Sequence, residues 1–125
     1  MKKIAEVDDF VEHVYLMLAP LGEVRPKRMF GGYGIYVDDV FMAIIAYDTL
    51  WFKVDDGNVE DYREAQSRPF KPWEDRDTVM SYWEVPADVV DDRVAIVAWG
   101  GKAIAAARRS GTVRKTRPGK PPARR

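Results

Sequence analysis

Residues 24–54 read VRPKRMFGGYGIYVDDVFMAIIAYDTLWFKV, and this stretch decides the fold. It contains four short apolar or alternating runs, which are typical of β-strands. They cover residues 25–30, 34–37, 40–46 and 50–54. The breaks between them are short enough for hairpins or bulged turns, and they are Gly31-Gly32, Asp38-Asp39 and Tyr47-Asp48-Thr49. Because a parallel crossover needs about a dozen residues, strands joined this tightly must be antiparallel, and the stretch predicts a meander.

A helix is predicted before the meander. Apolar residues recur there at helical spacing, namely Phe10, Val14, Met17, Leu18 and Leu21. Asp8 or Asp9 is a suitable N-cap, and Gly22 stands where a helix ends. Pro20 predicts an irregular last turn.

The residues after the meander predict a short helix, a loop and a fifth strand. Asn58 follows a turn signal and can cap a helix over residues 59–66. Residues 67–77 hold two prolines and many charges, so we expect a loop anchored by Phe70 and Trp73. Residues 78–85 are rich in β-branched and aromatic residues and predict a strand that Pro86 ends.

The last helix is predicted from about residue 91 to residue 109, with Asp88, Asp91 or Asp92 as its cap and Gly111 as its end. It is apolar on most of its circumference, so we expect the sheet and either a neighbouring helix or a second protomer to cover it. Two glycines in mid-helix cost roughly 1–2 kcal/mol against alanine, which indicates close approach of another backbone. The candidate interface is Trp99, Gly100, Gly101 and Ile104.

Together these elements predict an α+β fold with two layers. An antiparallel sheet of about five strands carries helices on one face, in the order α-β-β-β-β-α-β-α. The predicted domain covers residues 1–110, and a disordered basic tail covers residues 111–125. The polar N-terminal residues contain no apolar run typical of a signal peptide, which favours the cytoplasm.

The net charge of zero hides an uneven distribution. Residues 111–125 carry six cations and no acid, and these are Arg114, Lys115, Arg117, Lys120, Arg124 and Arg125. The other 110 residues hold 14 basic and 20 acidic groups. An acidic body with a basic tail indicates either a nucleic-acid contact by the tail or a solubilising terminus.

The composition excludes several classes of site. The chain has no cysteine and a single histidine, His13, so neither thiolate chemistry nor a cysteine-ligated zinc site is available. Paired aspartates fall at expected helix starts and turns, where capping accounts for them. Gly31-Gly32-Tyr33-Gly34 lacks the lysine and the following helix of a phosphate-binding loop and predicts a bulged junction between strands. We therefore expect no catalytic residue, no metal and no cofactor.

Two further interpretations stay open at this point. Arg25, Lys27 and Arg28 interleave with Phe30, Tyr33 and Tyr36, a pattern that on an exposed sheet face could bind single-stranded nucleic acid. Alternatively the aromatic rings face the helices and the cations lie in solvent or pair with acids. A small-ligand pocket or an enzyme site lined by Trp51, Tyr82 and Trp83 is the other interpretation.

Several blocks resemble a known family. The block RMFGGYGIY at residues 28–36 is the most specific, and within it the family motif falls on Arg28, Phe30, Gly31, Gly32 and Gly34. Further blocks are FMA at 41–43, LWFK at 50–53, YWEVP at 82–86 and the alanine-rich helix through Trp99 and residues 103–107. Over roughly residues 7–109 the chain resembles the N-terminal domain of the TfoX/Sxy competence regulators.

This resemblance implies a two-layer fold and a link to bacterial DNA uptake, in which family members act as co-activators beside a cyclic-AMP receptor protein. It implies no catalytic residues. Family members resemble two-domain chains with a helical C-terminal domain, whereas a basic tail stands at that place here. The resemblance therefore predicts a non-enzymatic regulatory or adaptor domain that acts through a protein partner in the transcription machinery. DNA contact through the tail and a homodimer are further expectations.

Overall fold

The computed structural model describes residues 6–29, 31–70 and 81–111. Within these ranges the chain forms four α-helices and five β-strands. The helices are α1 (Glu6–Leu18), α2 (Val59–Glu64), α3 (Ala87–Val90) and α4 (Arg93–Ser110). The strands are β1 (Val24–Met29), β2 (Gly32–Val37), β3 (Val40–Ala46), β4 (Thr49–Lys53) and β5 (Tyr82–Glu84). One 3-10 turn, Ala19–Leu21, follows α1.

The five strands form one antiparallel sheet in the order β1-β2-β3-β4-β5. Two-residue turns, Asp38-Asp39 and Tyr47-Asp48, close the β2–β3 and β3–β4 hairpins, and all four residues have positive φ. Such turns match the natural twist of paired strands. The predicted α+β meander is confirmed, because tight turns leave consecutive strands no pairing other than the antiparallel one.

The helices cover one face of the sheet, which we call the helical face. α4 packs mainly on β3 and β4, and α1 packs beside it. The strands contribute fully buried side chains to this core, including Ile35, Val37, Ile45, Leu50 and Phe52. Ile96, Ala103 and Ala107 meet them from α4. Burial of apolar surface at roughly 25 cal/mol per Å² makes this interface the main source of stability.

Several helix ends differ from the predictions. Asp8 and Asp9 lie inside α1, so neither caps it, because the helix already includes Glu6. Asn58 stands at the N-cap position of α2, but its Oδ1 accepts from the Asp55 amide and its Nδ2 donates to the Lys53 carbonyl. Its side chain therefore closes the preceding turn and makes no cap bond.

The ends of α4 agree with the predictions. Asp92 caps the helix, accepting from the Val94 and Ala95 amides at 2.9 Å each. Gly111 ends it with a left-handed φ of 80°. The short helix α3, which follows directly after Pro86, was not predicted. Of the predicted fifth strand, Tyr82–Glu84 is observed, and residues 78–80 lie outside the described residues.

Two ion pairs hold α4 against the α2 region. Arg109 donates to both carboxylate oxygens of Asp55, at 2.7 and 2.8 Å. This pairing is the main reason that the pKa of Asp55 falls to about 2. Lys102 Nζ lies 2.9 Å from Asp61 Oδ2.

No helix among the described residues has both the length and the apolar character to cross a membrane.

Candidate interaction surface on the outer face of the sheet

The sheet face opposite the helices, which we call the outer face, is aromatic at its centre. Side chains alternate along a strand, so the neighbours of Ile35 and Phe52 point to this face. The register then brings together the outer-face residues of all five strands. They include Arg25, Lys27, Gly34, Tyr36, Phe41, Ile44, Trp51, Lys53, Tyr82 and Glu84.

The aromatic rings of the outer face pack on one another. Tyr36 stacks on Phe41 with ring centroids 5.0 Å apart, and Phe41 lies 5.8 Å from Tyr82. Phe70, from the loop after α2, packs against Trp51 at 4.8 Å. Trp51 and Tyr82 are each only 4% exposed. β4 is therefore buried on both faces, although no described helix packs on this side.

Tyr47 extends the aromatic cluster to the solvent. Its side chain is 77% exposed, and its ring lies 6.4 Å from that of Phe70. Its φ is 56°, a left-handed conformation that costs a bulky residue roughly 1–2 kcal/mol. Asparagine, aspartate or glycine is usual at such a position. The turn conformation therefore disfavours a tyrosine at position 47, and yet an exposed tyrosine ring is present there.

Four cations lie on or beside the cluster. Arg68 lies 5.4 Å from the Trp51 ring and pairs with Glu84 at 2.8 Å, and Arg25 pairs with Asp39 at 2.9 Å. Lys27 and Lys53 have no carboxylate partner among the described residues. The outer face is consequently basic as well as aromatic.

Lys53 is the unusual member of this group, since it is only 7% exposed. Its Nζ donates to Ser81 Oγ at 2.6 Å and lies 5.2 Å from the centroid of the Tyr82 ring. Burial lowers the pKa of Lys53, and the charge of Asp55 opposes this effect only in part. Burial also raises the pKa of Tyr82 to about 12, so this phenol stays neutral at physiological pH.

The predicted nucleic-acid residues do not share one surface. Arg25 and Lys27 lie on the outer face, whereas Arg28 lies opposite Tyr33 on the other face, with its Cζ 5.7 Å from that ring. The expectation that Arg25 pairs with an acid is confirmed by Asp39. The six tail cations lie outside the described residues, so their role stays a prediction.

The free edge of the sheet is protected against strand addition. β1 lies at the end of the strand order and is exposed along most of its length. Pro26 in its centre has no N–H to donate, and cations flank it. Both features discourage pairing with another strand. The basic residues of β1 thus have a structural role that requires no nucleic acid.

The glycine motif is a packing feature. A Cβ on Gly32 would overlap the carbonyl oxygen of Ile45, and one on Gly34 would lie 2.7 Å from Met29 Cε and 2.9 Å from Phe41 Cε1. Gly31 has a φ of 77° in the connection between β1 and β2. The predicted strand junction is observed, but the bulge lies further on, at Ile35/Tyr36. Phe30 lies outside the described residues.

The candidate interface on α4 is largely used within the monomer. A Cβ on Gly100 would lie 2.8 Å from Leu21 Cδ1, so this glycine makes room for side chains of the α1 region and not, as predicted from the sequence, for another backbone. Trp99 packs edge-on against Tyr62 of α2 at 4.7 Å, and Ile104 packs against the core. Neighbouring helices therefore cover the second side of α4, while Gly101 is half-buried. A homodimer stays a prediction.

The predicted pocket lined by Trp51, Tyr82 and Trp83 is wrong. Trp51 and Tyr82 belong to the outer face, but Trp83 pairs with Phe52 and points to the helical face, where it packs near Tyr62. Residues adjacent in a strand point to opposite faces and cannot line one pocket. The structure contains an open cavity elsewhere, lined by Phe10, Leu50, Val85 and Val90 with Asp48, Glu84 and Asp91.

The remaining candidates for chemistry are structural. Asp38 accepts from the Glu23 amide at 2.9 Å, and Asp55 accepts from the Gly57 amide at 2.8 Å. His13 Nε2 lies 3.3 Å from Asp91 Oδ1. Within the described ranges, no group of three or more histidine, cysteine or acidic side chains could hold a metal ion.

Sequence reasoning missed the outer-face cluster and the burial of Lys53. A signal was present, because the runs VFMAIIA and TLWFK are almost continuously apolar. A strand with one solvent-exposed face alternates between apolar and polar residues, whereas a strand buried on both faces does not. Of the two predicted loop anchors, Phe70 contacts Trp51 as expected, and Trp73 lies outside the described residues.

Comparison with known proteins agrees with this architecture. The family model of the TfoX N-terminal domain matches residues 17–107, which include the whole sheet and most of α4. No curated protein matches the chain. The matched range contains both the glycine motif and the outer-face cluster, and it covers well over half of the sequence. The chain therefore belongs to the TfoX N-terminal domain family.

Proposed function

We propose that this domain is a non-enzymatic adaptor that assists transcription by binding a protein partner through its outer face. The TfoX N-terminal domain is a regulatory family associated with competence regulation. The partner proposed is a component of the transcription machinery, in particular a cyclic-AMP receptor protein. The family supports the choice of partner, and the structure supports the choice of surface.

The observation that carries the proposal is the aromatic outer face with Tyr47 at its rim. The outer face of a two-layer antiparallel sheet is usually polar, because water covers it. Here it bears Tyr36, Phe41, Trp51, Phe70 and Tyr47. Tyrosine and tryptophan are enriched in protein interfaces, where an exposed ring supplies a large contact area at little entropic cost. A strained backbone at Tyr47 is consistent with a functional reason for keeping that ring.

In vitro transcription tests this proposal. The components are RNA polymerase, a cyclic-AMP receptor protein and a competence promoter that carries its binding site. We expect the wild-type chain to increase transcript yield only when the receptor protein is present. Tyr47→Asn removes the exposed ring and should raise the concentration needed for half-maximal stimulation about tenfold, as loss of an interface anchor does.

Folding and position are controlled separately. Asparagine suits a positive φ, so Tyr47→Asn should keep or slightly raise the urea midpoint. Tyr15→Gln removes an exposed tyrosine from α1, on the other layer, and should leave the stimulation unchanged. No stimulation by the wild-type chain, or equal loss in both variants, would contradict the proposal.

We further propose that the tail adds electrostatic affinity for DNA. Its six cations are Arg114, Lys115, Arg117, Lys120, Arg124 and Arg125, and the rest of the chain is acidic. If the tail contacts about five phosphates, the log–log slope of affinity against salt should be roughly −4 to −5. Fluorescence anisotropy of labelled duplex DNA measures this slope.

The control for the tail is a full-length variant in which all six cations are glutamine. The salt slope of this variant should be close to zero. The affinity of the wild-type chain should not depend on the DNA sequence, because the tail contacts phosphates. An unchanged slope would place the DNA contact on the folded domain. The absence of binding by the wild-type chain at low salt would remove DNA contact from this chain altogether.

A further inference from the structure

Among the described residues, Lys53 on the outer face has no carboxylate counter-ion. It is 7% exposed, and its Nζ donates a hydrogen bond to the neutral hydroxyl of Ser81. The Tyr82 ring supplies a weak cation–π contact at 5.2 Å. The nearby carboxylate of Asp55 accepts hydrogen bonds from Nε and Nη2 of Arg109. Lysine is almost never buried without a partner, because removing an ammonium group from water is costly.

The position of Nζ allows a ligand to reach it. Its partner Ser81 is exposed, so the amine lies one hydroxyl group below the surface. A carboxylate that joined or displaced this hydroxyl would give the buried ammonium group a counter-ion, in a hydrogen bond between two ionised groups. Burial lowers the pKa of Lys53, and a carboxylate at this place would raise it again.

The surroundings specify what accompanies the carboxylate. On the same face as Lys53, the half-buried side chains of Phe41 and Ile44 offer apolar surface and pack against the buried outer-face rings. Lys27 provides a second cation without a partner among the described residues of the same face, whereas Glu84 already pairs with Arg68. Apolar surface with unpaired positive charge is complementary to an acidic segment that also carries aromatic or aliphatic side chains.

We infer that the outer face binds a peptide segment of a protein partner in which an aspartate or glutamate beside an apolar side chain pairs with Lys53. This inference rests on the proposed function and names the chemistry of the partner. Single-stranded nucleic acid fits less well, because base stacking requires exposed rings. Trp51 and Tyr82 are 4% exposed and already pack on other rings.

The test is a titration followed by NMR, with two matched peptides as probes. One is acetyl-Glu-Phe-Glu-Phe-amide, and the other replaces both glutamates by glutamine. We expect the acidic peptide to shift the signals of the Lys53 side chain and of the Ser81 and Tyr82 amides. The neutral peptide should bind roughly tenfold more weakly, which is the factor typical of one charged hydrogen bond.

Two lysine variants complete the test. Lys53→Met keeps the length of the side chain and removes the charge, so its binding of the acidic peptide should fall roughly tenfold to the level of the neutral peptide. Lys102→Met removes a lysine that pairs with Asp61 on the helical layer and should bind like the wild type. Amide spectra and urea midpoints check that both variants fold; replacing a buried charge with an apolar group should not destabilise Lys53→Met.

Equal binding of the two peptides, or full binding by Lys53→Met, would overturn the role of Lys53 and leave the outer face as a neutral interface. If an oligothymidylate shifts the same signals and binds more tightly than the acidic peptide, the inference of a peptide partner is overturned in favour of nucleic acid. If neither peptide binds the wild-type chain, the inference is wrong, and the transcription assay with Tyr47→Asn still decides the proposed function.

Discussion

Gly32→Ala is expected to lower the free energy of unfolding by about 3 kcal/mol, the upper range for overpacking a rigid site. The added methyl group would overlap the carbonyl oxygen of Ile45. That oxygen belongs to β3, which pairs with β2 on one side and β4 on the other, so the backbone cannot move without breaking the sheet. Urea denaturation followed by tryptophan fluorescence measures the change.

Gly31→Ala is the matched control for this prediction. Gly31 has a φ of 77°, but a Cβ added there would have no neighbouring atom within 4 Å. An alanine there has room and carries only the cost of the left-handed conformation, about 1–2 kcal/mol. The two neighbouring glycines thus separate steric overlap from backbone strain. If Gly32→Ala lowers the free energy of unfolding no more than Gly31→Ala does, the backbone of β3 can move to accommodate the methyl group, and the prediction is wrong.

The second large effect is expected at Tyr62, which is 1% exposed. Its ring lies between Trp99, edge-on at 4.7 Å, and Trp83 at 6.3 Å, and it joins α2 to α4 and the sheet. Tyr62→Ala should lower the free energy of unfolding by about 3–5 kcal/mol, because the core cannot close the cavity left by an aromatic ring. Calorimetry and urea denaturation should agree on this loss.

Tyr62→Phe separates the ring from its hydroxyl group. The buried Tyr62 hydroxyl has no hydrogen-bond partner among the described residues, and burial raises its pKa well above the usual value. A buried donor without a partner costs about 1–3 kcal/mol. Phenylalanine should therefore be as stable as tyrosine or up to about 1 kcal/mol more stable. A clear loss of stability in Tyr62→Phe would reveal a hydrogen bond from this hydroxyl.

The parts of the fold that could be predicted are those with short-range causes. Asp38-Asp39 and Tyr47-Asp48-Thr49 were predicted as hairpin or bulged turns, although Thr49 belongs to β4. The order of the first four strands followed, since so short a connection leaves no other pairing. Gly111 was predicted at the end of α4, and Asp92 was one of the three predicted caps, for the same reason. Helix ends that depend on nearby tertiary contacts were harder to predict. Asn58 looked like a helix cap, yet its side chain bonds backward to Asp55 and Lys53.

The candidate surface was only partly predictable. Trp51 and Tyr82 were identified as lining a site, but Trp83 was wrongly placed with them. Arg25 and Lys27 were grouped with Arg28, although Arg28 lies on the opposite face of the sheet from the other two. The burial of Lys53 depends on contacts with Ser81 and Tyr82, which lie about thirty residues further along the chain. No local pattern around Lys53 carries that information.

The amino-acid sequence by itself determined the antiparallel meander of the first four strands, the capped C-terminal helix and the resemblance to the TfoX N-terminal domain. These features depend on turn chemistry and periodicity, which act over a few residues. The tertiary structure alone decided which face each strand residue occupies and that Gly100 makes room for the Leu21 side chain. It also decided that Lys53 is buried beside the Tyr82 ring with no carboxylate partner among the described residues. Those outcomes depend on register and long-range packing, where a shift of one residue moves every side chain to the other face.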